Sequence, residues 1–355
     1  MRLVSLSEVL PGEPVTNREM AERFGLHERW LDSVTGNRTR YFCRPDSPAG
    51  IPKTTGDLAT AAGEQALVRA GLGPEAIDFL ILSTASPDHL MPATVNLVAD
   101  RLGLNELPTF QLTSGCAGAL QGLYTARALL ASGLRRGLVI GADTCRNMLP
   151  TGDAATQLRP AEMVNFAVFG DGGGAAVVEA GEDGPGLLVE HLFVRTVGKG
   201  RAPAQIVRWY GASGAPETID GRGRLVREAM GEEDYKAIER HVPEAARAIL
   251  DELVGVTGWR LPEVEHVLTP QLNGVMTERI REYLGVGEQQ AVSCVADTGN
   301  NGNALPFIQL ARALRRIRGS AGAGGRMLVA TVESSKWVLA GMALRHRPEG
   351  TGDVC

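Results

Sequence analysis

Runs of apolar residues alternate along the chain with segments in which apolar and charged residues recur at helical spacing. The segment "AIDFLILSTASP" is an unbroken apolar run that ends in a Ser/Pro turn, which is typical of a buried strand, and "RRGLVIGADTC" and "GRMLVATVESS" are similar. Alanine, leucine and charged residues recur at amphipathic-helix spacing in "LATAAGEQALVRAGL" and "VPEAARAILDELV". This alternation predicts an α/β fold layered around largely parallel strands.

The order of these elements repeats after a nearly constant interval. A helix predicted over 58–72 leads into a strand at Ile77–Thr84, and a helix over 243–253 leads into a strand at Val264–Leu268, an offset of 264 − 77 = 187 residues. Two short peptides, ARAL and LVIGAD, recur as ARAL and LVATVE with offsets of 311 − 126 = 185 and 328 − 138 = 190 residues. Three ordered matches at similar offsets predict two similarly folded halves.

Cys116 lies in the first half, which we bound at 1–180, among small residues just before a predicted helix in "TSGCAGALQGLY". The positions one repeat interval after Cys116 are 301–306, which lie beside "DTGNNGNALPF". They belong to the second half, which we bound at 181–355. A pseudo-twofold axis would bring these two loops to one cleft. Because helix N-termini carry unpaired N–H groups and a positive dipole end, they favour a thiolate or an oxyanion. We therefore predict that Cys116 is a nucleophile, with a packed, unreactive thiol as the alternative.

The glycine-rich segment "FGDGGGAAVVEA" contains a GxGxxA pattern, which also occurs in dinucleotide-binding loops. Such a loop needs a strand before the glycines and a helix after them, whereas "AAVVEA" has the character of a strand. We interpret the segment as a tight turn packed under the active site. Asn273 follows a predicted strand at the start of a helix, where asparagine is more often a cap than a catalytic group.

Composition narrows the class of protein. The chain has 355 residues, of which 44% are hydrophobic and 22% charged, the balance of a soluble globular protein with room for two cores. A net charge of −5 argues against nucleic acid or an anionic membrane as partner. Neither a membrane span nor a signal peptide is expected. Five scattered cysteines and six histidines show no metal-ligand spacing, so we expect no metal and favour a reducing cytoplasm.

Together these segments resemble the β-ketoacyl-acyl carrier protein synthase III family of the thiolase superfamily over nearly the whole chain. The block "TGNRTR" resembles that family's "TGIRxR", "SGCAGAL" its nucleophile elbow, "FGDGGGA" its "FGDGAGA", and "DTGNNGNALP" its glycine–asparagine loop. The resemblance implies a thiolase fold, five-layered αβαβα with two pseudo-duplicated halves. It also implies a homodimer, in which "STASPDHLMPATVNLV" would be the dimer-side loop.

The resemblance implies specific site residues. Cys116 would take an acyl group from acyl-coenzyme A or an acyl carrier protein as a thioester, without a cofactor, and its own backbone N–H would help form an oxyanion hole. Asn300 matches the family's active-site asparagine, and an alignment shifted by one residue gives Asn301 instead. Trp30 and Asn273 match positions that bind the substrate.

Three departures from the family pattern affect the expected chemistry. The family has Pro-His-Gln-x-Asn where this chain has "TPQLN", so Pro270 or Gln271, depending on a one-residue gap, stands where the catalytic histidine is expected. The final glycine-rich loop, which supplies the other oxyanion N–H in the family, is "ESSKWVLAG". The arginine that usually follows the tryptophan matching Trp30, near the coenzyme A mouth, is Val34.

Three functions are compatible with these residues. Since decarboxylative condensation uses the family histidine and asparagine together, the leading hypothesis is an acyltransferase that passes the acyl group from Cys116 to a thiol, amine or hydroxyl. The second is a 3-oxoacyl synthase III-type condensing enzyme in which another group substitutes for the histidine. The third is a non-catalytic partner that binds acyl carriers, against which the presence of Cys116 and Asn300 argues.

Overall fold

The computed structural model describes residues 1–24, 27–145, 165, 167–208, 217–219, 225–227, 231–318 and 325–348. The strands are β1 Arg2–Val9, β2 Val15–Thr16, β3 Thr39–Arg40, β4 Phe79–Thr84, β5 Thr109–Thr113, β6 Arg136–Asp143, β7 Gly172–Glu179, β8 Gly186–Thr196, β9 Gln205–Val207, β10 Glu217–Ile219, β11 Leu225–Arg227, β12 Gly231–Glu233, β13 His266–Leu268, β14 Arg326–Glu333 and β15 Val338–Arg347. The helices are α1 Asn17–Phe24, α2 Glu28–Thr35, α3 Thr55–Ala70, α4 Thr94–Arg101, α5 Gly118–Ala131, α6 Tyr235–Thr257, α7 Gly274–Leu284, α8 Val295–Thr298 and α9 Leu305–Arg318.

Nine strands form one continuous sheet in the order β13-β14-β15-β8-β1-β7-β6-β4-β5. Strands β1 and β8 pair at its centre, with Leu3 opposite Leu187. Moving outward, β7, β6, β4 and β5 follow β1, while β15, β14 and β13 follow β8, and an isolated bridge between Val267 and Ala291 extends the second side. The two sides therefore have matching strand orders, which confirms the two pseudo-duplicated halves. The boundary at residue 180 remains a proposal; it falls between the end of β7 and the start of β8.

Because β1 and β8 pair over only two residues each, the strands form two β layers, one from each half, and the helices form three layers around them. Helices α3 and α4 cover β4, β6 and β7 on one outer face, and α6 and α7 cover β14 and β15 on the other. Helices α5 and α9 lie between the two halves and pack on the inner faces of both. In β4 the side chains alternate, since Phe79 and Ile81 point into the inner core and Leu80 and Leu82 into the outer one. This arrangement is the expected five-layered αβαβα fold.

The expectation of largely parallel strands was wrong. Of the eight neighbouring pairs in the nine-stranded sheet, three are parallel (β4–β5, β4–β6 and β13–β14) and five are antiparallel. Two consecutive strands become parallel neighbours only through a crossover connection, whereas a tight turn makes consecutive strands antiparallel. The short turn between β14 and β15 is such a connection, and the helix–strand alternation of the sequence does not reveal it.

The interpretation of the glycine-rich segment as a tight turn was also wrong in part. Gly172, Gly173 and Gly174 are the first residues of β7, and no helix follows them. Their lack of a side chain permits close packing: a Cβ on Gly174 would lie 2.6 Å from the Cβ of Phe307 on α9. Glycine here lets the central helix layer approach the sheet, which positions the loop that precedes α9.

Candidate active site

Cys116 lies between β5 and α5, two residues before the first residue of the helix. It lines a cavity of about 390 Å³, which is the size of many small-molecule sites. Asn300, from the loop between α8 and α9, lines the same cavity. Helices α5 and α9 are both 14 residues long, and their first residues are 305 − 118 = 187 positions apart. The structure thus brings together the two loops that the repeat predicts at one cleft.

A buried polar network joins the two loops. Asn303 Nδ2 donates to the Ser114 carbonyl at 2.7 Å and to Asp143 Oδ2 at 2.9 Å, and the Asn303 backbone N–H donates to the same carboxylate oxygen at 2.8 Å. The other Asp143 oxygen accepts from three groups at the end of β4 and directly after it, which are Thr84 Oγ1, Ala85 N and Ser86 Oγ. Asn303 of the second half therefore connects the Ser114 carbonyl beside Cys116 to Asp143 of the first half.

A second buried carboxylate holds the elbow from the other side. Glu333 ends β14 and is 6% exposed. Its Oε2 accepts from Ser114 Oγ at 2.7 Å and from the Gly115 backbone N–H at 3.0 Å, while Oε1 accepts from Ser335 Oγ at 2.5 Å. Sequence reasoning identified only the loss of the family's glycine-rich loop in this segment and missed the contact between Glu333 and the elbow.

The Cys116 thiol is held in its neutral form. Burial raises the pKa of Cys116 to about 12, and the negative charge of Glu333 adds to the increase. The expected stabilisation of a thiolate by the helix tip is thus outweighed, because desolvation and a nearby carboxylate both oppose ionisation. Any reaction in which Cys116 acts as a nucleophile therefore requires removal of the thiol proton.

Of the two candidate asparagines, Asn300 is the one that lines the cavity. Its Oδ1 accepts from the Gly302 backbone N–H at 3.1 Å, which leaves the amide nitrogen as the end available to a ligand. Asn301 is buried and directs its Nδ2 to the carbonyls of Asp171 and Thr298, at 3.0 and 3.1 Å. The catalytic role of Asn300 remains a proposal, and its position is compatible with that role.

Pro270 and Gln271 both lie beside Cys116, around a smaller cavity of about 20 Å³. The Gln271 side chain is engaged with backbone at both ends, since Nε2 donates to the Val292 carbonyl at 2.8 Å and Oε1 accepts from the Cys294 N–H at 2.9 Å. Because it ties down the start of α8, Gln271 has a structural role. Neither residue supplies a base in place of the family histidine.

The two predicted substrate-binding residues have different positions. Asn273 lines the cavity and also caps α7, with Oδ1 accepting from the Met276 N–H at 2.8 Å. Trp30 is half-buried on α2 and is not a lining residue, although Ser33 and Val34 on the same helix are. Substrate binding by Trp30 thus stays a prediction, and Val34 forms the described wall near it.

A further wall of the cavity carries polar groups that sequence reasoning missed: Gln205 from β9, Glu233 from β12, and Tyr235 at the start of α6. In the sequence, "GEEDYK" resembles an exposed charged run before a helix, so no local pattern identifies these residues.

Within the described residues, no group of three or more His, Cys, Asp or Glu side chains is arranged to hold a metal ion. No helix in those ranges combines the length and apolar character needed to cross a bilayer.

Comparisons with known proteins identify the chains and structures that this chain resembles. A family model described as 3-oxoacyl-[acyl-carrier-protein] synthase III matches residues 110–195, which include Cys116. A β-ketoacyl-[acyl-carrier-protein] synthase III of Streptomyces coelicolor is 33% identical over 332 residues, with 92% of each chain covered. One from Erythrobacter litoralis is 32% identical over 290 residues, with 81% of each covered.

Solved structures are similar over the full length of the chain. A tetronic acid condensing enzyme, AbyA1, has 43% identity and a TM-score of 0.86, with 97% of this chain and 99% of that chain covered. The 3-oxoacyl-(acyl carrier protein) synthase III of Pseudomonas aeruginosa has 25% identity and a TM-score of 0.77, with 98% of each chain covered. Of the four proteins named above, the one with the highest identity is therefore described as a condensing enzyme.

Proposed function

The chain belongs to the β-ketoacyl-acyl carrier protein synthase III family, and on this premise we propose that it carries an acyl group on Cys116 and joins it to a carbon acceptor. The observation that carries this proposal is the 43% identity to a tetronic acid condensing enzyme over 97% of the chain. The common cavity of Cys116 and Asn300 supports it. Of the hypotheses drawn from the sequence, this one corresponds to the condensing enzyme without the family histidine.

The chemistry of a tetronic acid fits a site of this kind. A tetronic acid is a five-membered lactone that contains an enolised β-dicarbonyl group. Its assembly from two acyl thioesters requires one carbon–carbon bond and one carbon–oxygen bond, and both form by acyl transfer. A 2-hydroxyacyl donor would supply the ring oxygen, and a 3-oxoacyl acceptor would supply the acidic carbon.

Such an acceptor also accounts for the lost histidine. A carbon between two carbonyls loses its proton more readily than a carbon beside one, because both carbonyls share the negative charge. The carbanion then forms without loss of carbon dioxide, so the histidine–asparagine pair that stabilises the enolate in decarboxylation is not required. Acyl transfer to a thiol, amine or hydroxyl is the second candidate, since the same acyl-Cys116 would serve it.

We expect the wild-type protein to release carbon dioxide from malonyl-coenzyme A at least about 10²-fold more slowly than it discharges acyl-Cys116 to acetoacetyl-coenzyme A. The physical reason is that neither Pro270 nor Gln271 can provide the acid–base assistance on which decarboxylation depends. Carbon dioxide release and intact-protein mass spectrometry measure the two rates. Rapid malonyl decarboxylation by the wild type would contradict the proposal.

Restoring the histidine tests the same point in reverse. Pro270→His is the informative variant, since Gln271 is tied to the backbone of Val292 and Cys294 and its replacement would disturb α8. We expect Pro270→His to gain malonyl decarboxylation. Because proline fixes its own φ, its replacement can change the backbone of this loop. The comparison holds only if the circular dichroism spectrum of the variant matches that of the wild type.

We propose a homodimer that forms through the loop between β4 and α4. Leu90 and Met91 in this loop are 70% and 89% exposed, and together they make an apolar surface patch. We expect light scattering to give about twice 37.7 kDa, with an interface well above about 1,000 Å².

Charged substitutions test this interface. A Leu90→Asp/Met91→Asp double variant should become monomeric, because each charge would be buried without a partner. Val68→Asp, at an apolar side chain 78% exposed on α3, should remain dimeric and serves as the matched control. A wild-type particle of 37.7 kDa at micromolar concentration would rule out the dimer.

The partners that we propose are acyl thioesters of coenzyme A or of an acyl carrier protein, in keeping with the names of the relatives. The arginine that the family has near the coenzyme A mouth is Val34 here, so the donor is expected to depend less on charge at this edge. The cytoplasm stays the expected compartment.

A further inference from the structure

A carboxylate group faces the substrate cavity from a wall that neither Cys116 nor the asparagine loop supplies. Glu233 is the last residue of β12, where it pairs in register with Gln205 of β9. Gln205 Nε2 donates to Glu233 Oε1 at 2.6 Å, and the Tyr235 hydroxyl also hydrogen-bonds to the carboxylate. The same hydroxyl contacts Asn165 Oδ1. The Glu233 side chain is therefore held in one orientation at the cavity wall.

The strands that carry Glu233 are fastened to the loop next to Cys116. The Asp234 N–H donates to the Ala204 carbonyl at 2.8 Å, and the Ala204 N–H donates to the Ser334 carbonyl at 3.1 Å. Ser334 itself lines the cavity. The carboxylate lies near enough to the nucleophile that its charge contributes to the raised pKa of Cys116.

The surroundings of Glu233 suit a group that gains and loses a proton. Burial raises the pKa of Glu233, and the hydrogen bonds from Tyr235 and Gln205 offset part of the increase. In the described part of the chain no lysine or arginine forms an ion pair with it. A carboxylate whose pKa moves toward neutrality is suited to act as a general base.

The charged groups that the structure describes near Glu233 have other partners. Its neighbour Glu232 pairs with Arg208 at 2.9 Å. At the cavity mouth Glu239 pairs with Arg279 at 3.2 Å, and both side chains are largely exposed. The remaining titratable residues that line the cavity, Cys116 and Tyr235, are neutral at physiological pH, because burial raises the pKa of each.

We propose that Glu233 is the general base that takes the proton from the acceptor in the acyl-transfer step, the task for which the family histidine is missing. This inference rests on the proposed function, in which Cys116 carries the acyl group. The acceptor C–H proton passes to the Glu233 carboxylate while the acceptor carbon attacks the thioester carbonyl. The new carbon–carbon bond forms, the carbon–sulfur bond breaks, and the departing Cys116 sulfur takes the proton from Glu233.

The test separates loading from discharge. Wild type and Glu233→Gln are first loaded with acetyl- or glycolyl-coenzyme A, freed of excess donor, and then mixed with acetoacetyl-coenzyme A. Intact-protein mass spectrometry follows both stages. We expect Glu233→Gln to load at least as fast as wild type, because the variant lacks a charge that raises the pKa of Cys116, and to discharge about 10²–10⁴-fold more slowly, the usual contribution of a general base.

A pH profile and two variants complete the test. Wild-type discharge should slow as the pH falls through the pKa of Glu233, and this acidic limb should be absent in Glu233→Gln and present in Glu233→Asp. Glu232→Gln is the matched control and should discharge like wild type, since consecutive strand residues point to opposite faces. Discharge of Glu233→Gln at the wild-type rate, or a change in KM alone, overturns the role of Glu233. A wild type that forms no acyl-Cys116 overturns the proposed function and this inference with it.

Discussion

Cys116→Ala is expected to abolish acyl loading and to lower turnover by about 10⁴-fold or more, because removal of a covalent nucleophile leaves only binding and oxyanion stabilisation. Intact-protein mass spectrometry after incubation with a panel of acyl thioesters measures the loading, and peptide mapping identifies the modified residue. The large size of the effect follows from the position of Cys116, which lies at the cavity beside Asn300.

Loading should also depend on pH in a defined direction. Since burial and Glu333 raise the pKa of Cys116 to about 12, the loading rate should rise with pH across the neutral range as more thiolate becomes available.

The control for the nucleophile is another buried cysteine. Cys294→Ala removes a thiol that is 1% exposed and that contacts Gln271 rather than the cavity, so it should retain loading. An adduct on wild type that maps to Cys43, Cys145 or Cys294, or to Cys355 outside the described residues, would show that the assignment of Cys116 is incorrect.

Asp143→Ala is expected to lower the free energy of unfolding by about 3–5 kcal/mol, because loss of a buried hydrogen-bond network is among the largest effects of a single substitution. Its carboxylate accepts five hydrogen bonds, and their donors would be left buried without an acceptor. Because Asn303 loses its anchor as well, acyl transfer should fall together with stability. Urea unfolding monitored by circular dichroism measures the change.

Asp100→Ala is the matched control for this measurement. Asp100 is exposed on α4, and surface substitutions of this kind usually change stability by no more than about 0.5 kcal/mol. A loss below about 1 kcal/mol in Asp143→Ala would mean that the two halves are joined mainly by the packing of α5 and α9, and that the network contributes little.

Local patterns in the sequence were enough to predict much of the fold. Strands β4, β6 and β14 are covered by helices on both faces, so each is an unbroken apolar run that a sequence reading can recognise. The repeat interval of 187 residues predicted that the loops before α5 and α9 meet, and they do. The sequence also singled out Cys116 as a candidate nucleophile, because small residues surround it directly before a helix.

Only the tertiary structure determined what surrounds Cys116. Glu333 contacts Gly115 across 218 residues of chain, and Glu233 reaches the cavity through a short strand pair, so neither has a local signature. The protonation of Cys116 was likewise decided by burial, which opposes the helix dipole and depends on every group packed around the sulfur. Chain periodicity reports which face of an element is buried. Desolvation and long-range contacts depend on which distant elements cover that face, and only the folded structure specifies them.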